Sequence, residues 1–241
     1  MTSSANINWP RIAAEGAAIV ASILFAFAID AWWEDRQVRQ EEQQILQGLR
    51  EEFVSIRDVL SLHYAEHLER LQSLEQLLFV LDDGPGDDVG PVVEAALLDM
   101  LWPSTSDIGN GTLEALLNSG RVEILASKRL RARLAAWEGV IGEVWDDQND
   151  NARMVYETYI PFFVSENVAA GTVMRHWYDE WPIPGRSIAD DPVAIKRLLD
   201  NPRFRLLTEI RYGYKRHLSE EFEAAIAAAD VILSEIEQSS E

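Results

Sequence analysis

Residues 34–81 read EDRQVRQEEQQILQGLREEFVSIRDVLSLHYAEHLERLQSLEQLLFVL, a stretch without proline that carries apolar side chains at 45, 49, 53, 56, 60, 64, 68, 71, 74, 78 and 81. Steps of three and four residues place those side chains on one face of an α-helix. The stretch therefore reads as a long amphipathic stalk helix over 34–82, with its apolar stripe turned toward a partner helix. Downstream, Asp82-Asp83-Gly84-Pro85-Gly86-Asp87-Asp88 combines turn formers with mutually repelling charges and ends it.

Upstream there is no break. From Ile12 to Ile29 the chain reads IAAEGAAIVASILFAFAI, interrupted only by Glu15 and Ser22. A run of that length and character is what a bilayer span requires, so roughly residues 11–31 read as a transmembrane helix. Trp9 precedes it and Trp32 and Trp33 follow it. At ~1.5 Å per residue their rings stand about 34 Å apart, the spacing of interfacial anchors. A cleaved signal peptide is the competing reading, because Ala26-Phe27-Ala28 fits the cleavage pattern. The long apolar run, the internal carboxylate and an n-region with Arg11 as its only cationic side chain weigh against it. The expected organisation is a transmembrane anchor over 1–33, then an acidic helical domain over 34–241. Without a proline or turn between them, anchor and stalk should form one very long helix or two nearly collinear ones. Orientation is balanced, with Arg11 on one side and Arg36, Arg39 and Arg50 on the other.

Within the span, Ala14, Ala18, Ser22 and Ala26 form a small-residue face that includes Glu15, opposite a bulky face of Ile12, Ile19, Val20, Ile23 and Phe27. Small faces let membrane helices approach closely, and an ionised carboxylate in hydrocarbon seeks protein or water. Self-association through this face is expected, with lipid around it. The local alternative pairs Glu15 with Arg11 four residues earlier.

The remaining chain is also helical in pattern. Pro91 opens a short apolar helix to about Trp102, and Thr112 to Ser119 forms another, with Gly120 in the C′ position. Ser127 caps a helix running from Lys128 to about Tyr159, with Pro161 as a kink or stop. Ser165 to Asp190 is irregular. Asp191-Pro192 and Asn201-Pro202 are N-cap plus N1 proline signals, the second starting a helix to Ile236. With no strand-length alternation the fold class is all-α: an N-terminal transmembrane helix, a stalk and a multi-helix bundle.

The runs EGAAIVASILFAFAIDAWWEDR, TLEALLNSGRVEILASKRLRARLAAW and NPRFRLLTEIRYGYKRHLSEEFEAAIAAADVILSEIE resemble a widespread family of uncharacterised bacterial single-span membrane proteins. The resemblance implies an architecture and a bacterial inner membrane, not a reaction. It also implies an inside N-terminus and a periplasmic rather than cytoplasmic domain, although the basic tail common before the span in that family is reduced here to Arg11.

Composition narrows the function classes. A formal charge of −20 repels nucleic acid, and the absence of cysteine removes disulfides, thiolate metal sites and Cys nucleophiles. His63-Tyr64-Ala65-Glu66-His67 matches the inverted zinc-protease pattern H-x-x-E-H, so His63, Glu66 and His67 are the metal candidates, lacking an evident third ligand. Asp147, Asn149 and Asn151 start like a calcium loop, but Ala152 and Thr158 stand where the glycine and the closing glutamate belong. The cations of 128–133 and Arg203, Arg205, Arg211, Lys215 and Arg216 are expected to neutralise the acidic stalk. No phosphate loop, nucleophile elbow or dinucleotide fingerprint occurs, and no cofactor is indicated. The expected function is a non-enzymatic, self-associating, membrane-anchored interaction or accessory protein with an unidentified protein partner. A homo-oligomeric pore and a zinc peptidase are the competing classes.

Overall fold

The computed structural model describes residues 9–84, 86, 89–103, 106, 108–109, 111–168 and 187–240, and side chains from residue 20 onward. Helix α1, Trp9–Asp83, is continuous, so the segment read as anchor and the stalk are one helix. It is followed by α2 (Val89–Met100), α3 (Gly111–Asn118), a 3₁₀ turn at Arg121–Ile124 and α4 (Lys128–Met154). A π-helical turn, Val155–Tyr159, leads into α5 (Ile160–Ser165). Beyond a 3₁₀ turn at Ile188–Asp190 come α6 (Pro192–Leu199) and α7 (Pro202–Ser240). No strand occurs among the described residues.

The caps legible in the sequence are present. Ser127 accepts from the Leu130 amide at 3.2 Å, Asp191 from Ala194 at 3.0 Å and Asn201 from Arg203 at 2.9 Å. Gly120 adopts φ 69°, a left-handed conformation that a Cβ disfavours, and so turns the chain out of α3. Pro161 does not stop the helix. The π turn before it widens the backbone where its ring would meet the preceding turn, and the chain stays helical to Ser165. Much of the segment expected to be irregular, residues 169–186, lies outside the described residues.

The chain folds up, down, up and down. Beyond the turn at Gly84, α2 runs back along α1, with Ser73 donating to Asp99. The descent continues through α3, whose first amides, Thr112 and Leu113, donate to the Glu52 carboxylate at 2.6 and 2.9 Å. Lower still, Ala126 donates to Glu42 at 2.6 Å, and Arg121 pairs with Glu41. Glutamates of α1 thus satisfy amides that α3 and the α4 entry would otherwise leave orphaned. Helix α4 rises beside α1, and α7 descends against both, joining Arg205 to Asp82 at the top and Arg57 to Asp230 (3.9 Å) lower down.

The buried faces follow a 3-4 repeat. On α1 it is Leu46, Leu49, Phe53, Ile56 and Leu60, resuming at His67, Leu74 and Leu77. On α4 it is Leu130, Leu134, Trp137, Ile141, Val144, Gln148 and Asn151, then Val155 and Tyr159 across the π turn. On α7 it includes Phe204, Thr208, Arg211, Lys215, Leu218, Phe222, Ala225, Ala229, Ile232 and Ile236. Repeats of this kind produce the shallow left-handed crossing of coiled coils. The expected stripe drifts from this face. Ile45, Tyr64, Leu71 and Leu78 are half-buried and Leu68 is exposed, because the interior heptad position there is His67.

Two dry cores result. The lower packs the Phe53 ring edge-on to Trp137 at 5.1 Å, among leucines of α1 and α4 and the small residues of α7. The upper gathers Leu74, Leu77 and the stacked Phe162 and Phe204 rings, 6.3 Å apart. At its rim Gly90 lies so close to the 3₁₀ turn that a Cβ would come within 2.7 Å of the Ala189 carbonyl oxygen.

Candidate functional site

Between the two dry cores lies a polar waist. Its members sit on interior heptad positions of three helices: His67 on α1, Gln148 and Asn151 on α4, and Thr208, Arg211, Lys215 and Ser219 on α7, all buried. Arg70 and Asp99 close its α1–α2 side, with side chains 17% exposed.

Arg211 is the centre of the waist and is 0% exposed. One terminal nitrogen donates to Asn151, and the other to the carbonyls of Asp99 (3.1 Å) and Trp102 (2.7 Å) at the C-terminal end of α2. Carbonyls left unpaired by a helix end are the right acceptors for a cation. Its guanidinium also lies 5.4 Å from the Tyr159 ring centre. Burial and the facing Arg70 lower its pKa to about 10, against the raising influence of Tyr159 and Asp99. Tyr159 donates its hydroxyl to the Leu207 carbonyl at 3.1 Å, and burial pushes that phenol up to about 12. The π turn makes this arrangement available. After Asn151 and Val155 a regular heptad would bring Thr158 inward; the extra residue brings Tyr159 instead.

Arg70 lies 4.3 Å over the Trp102 ring and 3.9 Å from Asp99, which also accepts from Ser73. Lys215 is 0% exposed, and burial, with Arg211 and Arg70 facing it, holds its amine well below the usual lysine range. His67 meets the Phe222 ring at 5.1 Å. Burial, then Lys215, Arg70, His63 and Arg211, bring its pKa down to about 2, so it is a neutral imidazole at ordinary pH. Neither His67 nitrogen has a hydrogen-bond partner, and the same is true of Arg211 Nε and Asn151 Nδ2. The waist thus gathers three basic side chains around one carboxylate, with donors to spare.

The residues singled out in the sequence fall into separate places. His63 Nδ1 lies 3.4 Å from the Glu66 carboxylate on the half-buried edge of α1, whereas His67 points inward at cations that would repel a metal dication. Among the described residues no group of three or more His, Cys, Asp or Glu is arranged to hold a metal. Asp147, Asn149 and Asn151 lie on unbroken helix, which separates them: Asn151 faces Arg211, Asp147 faces His217 at 3.3 Å, and Asn149 is exposed. Arg205 neutralises the stalk at Asp82 as expected, but Arg211 and Lys215 face the interior instead. The side chains of Trp9, Ala14, Glu15 and Ala18 lie outside the described residues, while Ser22 and Ala26 are exposed. Trp32 and Trp33 are exposed with rings 6.4 Å apart, and Arg36 lies 5.8 Å over Trp32. Among the described residues no helix is long and apolar enough to cross a membrane; the first part of the apolar run, Ile12 to Ile19, has no described side chains.

A stripe traced through apolar residues alone passes over the waist. Extending the 46, 49, 53, 56, 60 register by its own steps reaches 63, 67, 70 and 74; of these His67 and Leu74 are buried, and His63 and Arg70 are half-buried. Comparison with family models, curated proteins and solved structures finds no match to this chain.

Proposed function

We propose that this chain is a membrane-anchored, self-associating helical accessory protein without catalytic activity, its bundle displayed by a stalk that continues the anchor. One observation carries the reading. On the lower arm of α1, Val20, Ile23, Leu24, Phe25, Phe27, Ile29, Trp32 and Trp33 are each 49–68% exposed. They surround the helix rather than forming one stripe, and a soluble surface does not keep such a sleeve in water. With Ile12 to Ile19 they form a run of bilayer length, and Trp32, Trp33 and Arg36 stand where interfacial anchors belong. The family resemblance supports a bacterial inner membrane with a periplasmic bundle. The cost of Glu15 in hydrocarbon supports helices that meet through Ala14, Ala18, Ser22 and Ala26.

Expression followed by alkaline extraction of membranes tests the anchor. The chain is expected in the extracted pellet, and Ile23→Arg with Phe27→Arg is expected to release it to the supernatant. Recovery of the unaltered chain in the supernatant, without detergent, would refute the reading.

A further inference from the structure

Arg70 and Asp99, at the α1–α2 side of the waist, line a cleft of about 260 Å³ together with Glu69, Ser73, Ala95 and Leu98. Its charges have both signs. The Arg70 guanidinium lies 4.3 Å from the Trp102 ring centre, and at 3.9 Å from Asp99 the two form an ion pair rather than a hydrogen-bonded fork. Behind it stand Arg211 and Lys215, both fully buried, with Arg211 Nε and both His67 nitrogens unpartnered. The interior therefore draws negative charge inward at Arg70. Glu69 and Asp99 occupy the same walls. They oppose a simple anion, just as Arg70 opposes a simple amine.

We propose that this cleft binds a small zwitterion, an α-amino acid, with its carboxylate on Arg70 and its ammonium between Glu69 and Asp99. The guanidinium's paired donors match a carboxylate, and the two acidic residues offer acceptors to an ammonium. Ser73 gives its hydroxyl hydrogen to Asp99 and keeps lone pairs for an incoming N–H. Ala95 and Leu98 leave an apolar wall for a short side chain, and the volume suits a small amino acid rather than a nucleotide. The inference rests on the waist alone and is independent of the membrane reading.

Titration calorimetry of the full chain in detergent tests it, with glycine, alanine and serine as probes and with acetate, inorganic phosphate and methylammonium as single-charge controls. At least one amino acid should saturate at one per chain. Arg70→Gln and Glu69→Gln should each weaken it by about tenfold or more, the loss of a charge-assisted contact. Lys196→Gln, in an exposed ion pair with Asp200 on α6, should leave binding unchanged. Three silent amino acids would overturn the proposal. So would acetate, phosphate or methylammonium binding as tightly as the best amino acid. Glu69 is exposed, so its variant keeps the test valid where Arg70→Gln disturbs the fold, and unchanged affinity in Glu69→Gln would also refute the site.

Discussion

The lower core and the polar waist occupy consecutive heptads of the same helices, yet one is packed with leucines and aromatic rings and the other with histidine, arginine and lysine. In the lower core each large apolar side chain contributes about 1.5–3 kcal/mol by leaving water, and any neighbour of similar shape satisfies it. In the waist each buried cation costs several kcal/mol in desolvation, recovered only through particular partners. Dry layers thus stabilise a bundle without fixing its alignment. The waist fixes it: sliding α7 by one heptad would take Arg211 away from Asn151 and the Asp99 and Trp102 carbonyls and into an apolar layer.

The strongest way to break the contrast is to place a charge in a dry layer. Leu74 is 0% exposed in the upper core, close to the waist but with no polar partner of its own. Leu74→Asp is expected to unfold the bundle, because a buried carboxylate without partners is added to the loss of a leucine. Circular dichroism melting checks this. A cooperative transition at the unaltered temperature would show that these layers tolerate charge as the waist does.

The waist itself should give the fold a pH dependence that the dry cores cannot. His67 has a folded pKa of about 2 against 6.5 when unfolded. Between those values the unfolded chain binds more protons, so stability rises with pH across the interval and is lost as pH falls below about 6.5. At about 1.4 kcal/mol per pH unit, acidification from pH 7 to 5 should cost roughly 2 kcal/mol through this one residue. Urea unfolding of the native chain and of His67→Leu at both pH values isolates it, since the carboxylates titrate alike in both. Equal pH slopes would mean that His67 does not carry the dependence.

How much of this was legible follows from what sets each feature. The long helix, the caps at Ser127, Asp191 and Asn201 and the glycine at 120 depend on local rules, and all were readable. The waist depends on a tertiary override. Hydrophobic periodicity marks interior positions only where they are apolar, so a polar interior layer appears as a gap, spanned in the sequence by half-buried Tyr64 and Leu71 and exposed Leu68. Likewise His63 and His67 read as a metal pair because they stand one turn apart, though one lies at the helix edge and the other faces cations. The α1–α2 cleft joins residues 69–73 to 95–99 across a chain reversal, which no sequence spacing announces.

The smallest effect sharpens the comparison at the boundary between waist and upper core. Tyr159 belongs to both regions: its ring packs in the upper core beneath Arg211, and its hydroxyl donates to the Leu207 carbonyl. Tyr159→Phe keeps the ring, its packing and its π face, and removes one hydrogen bond. The expected loss is about 1 kcal/mol, the net worth of such a bond, with the Leu207 carbonyl left to its helical partner. Tyr159→Leu, which keeps apolar volume but removes the ring from beneath the guanidinium, should lose distinctly more, because the buried cation then forfeits its aromatic contact as well. Urea midpoints of the two variants make the comparison. If Phe and Leu cost the same, Arg211 draws nothing from the ring, and the π turn serves only to pass Pro161 rather than to seat the aromatic residue under the buried cation.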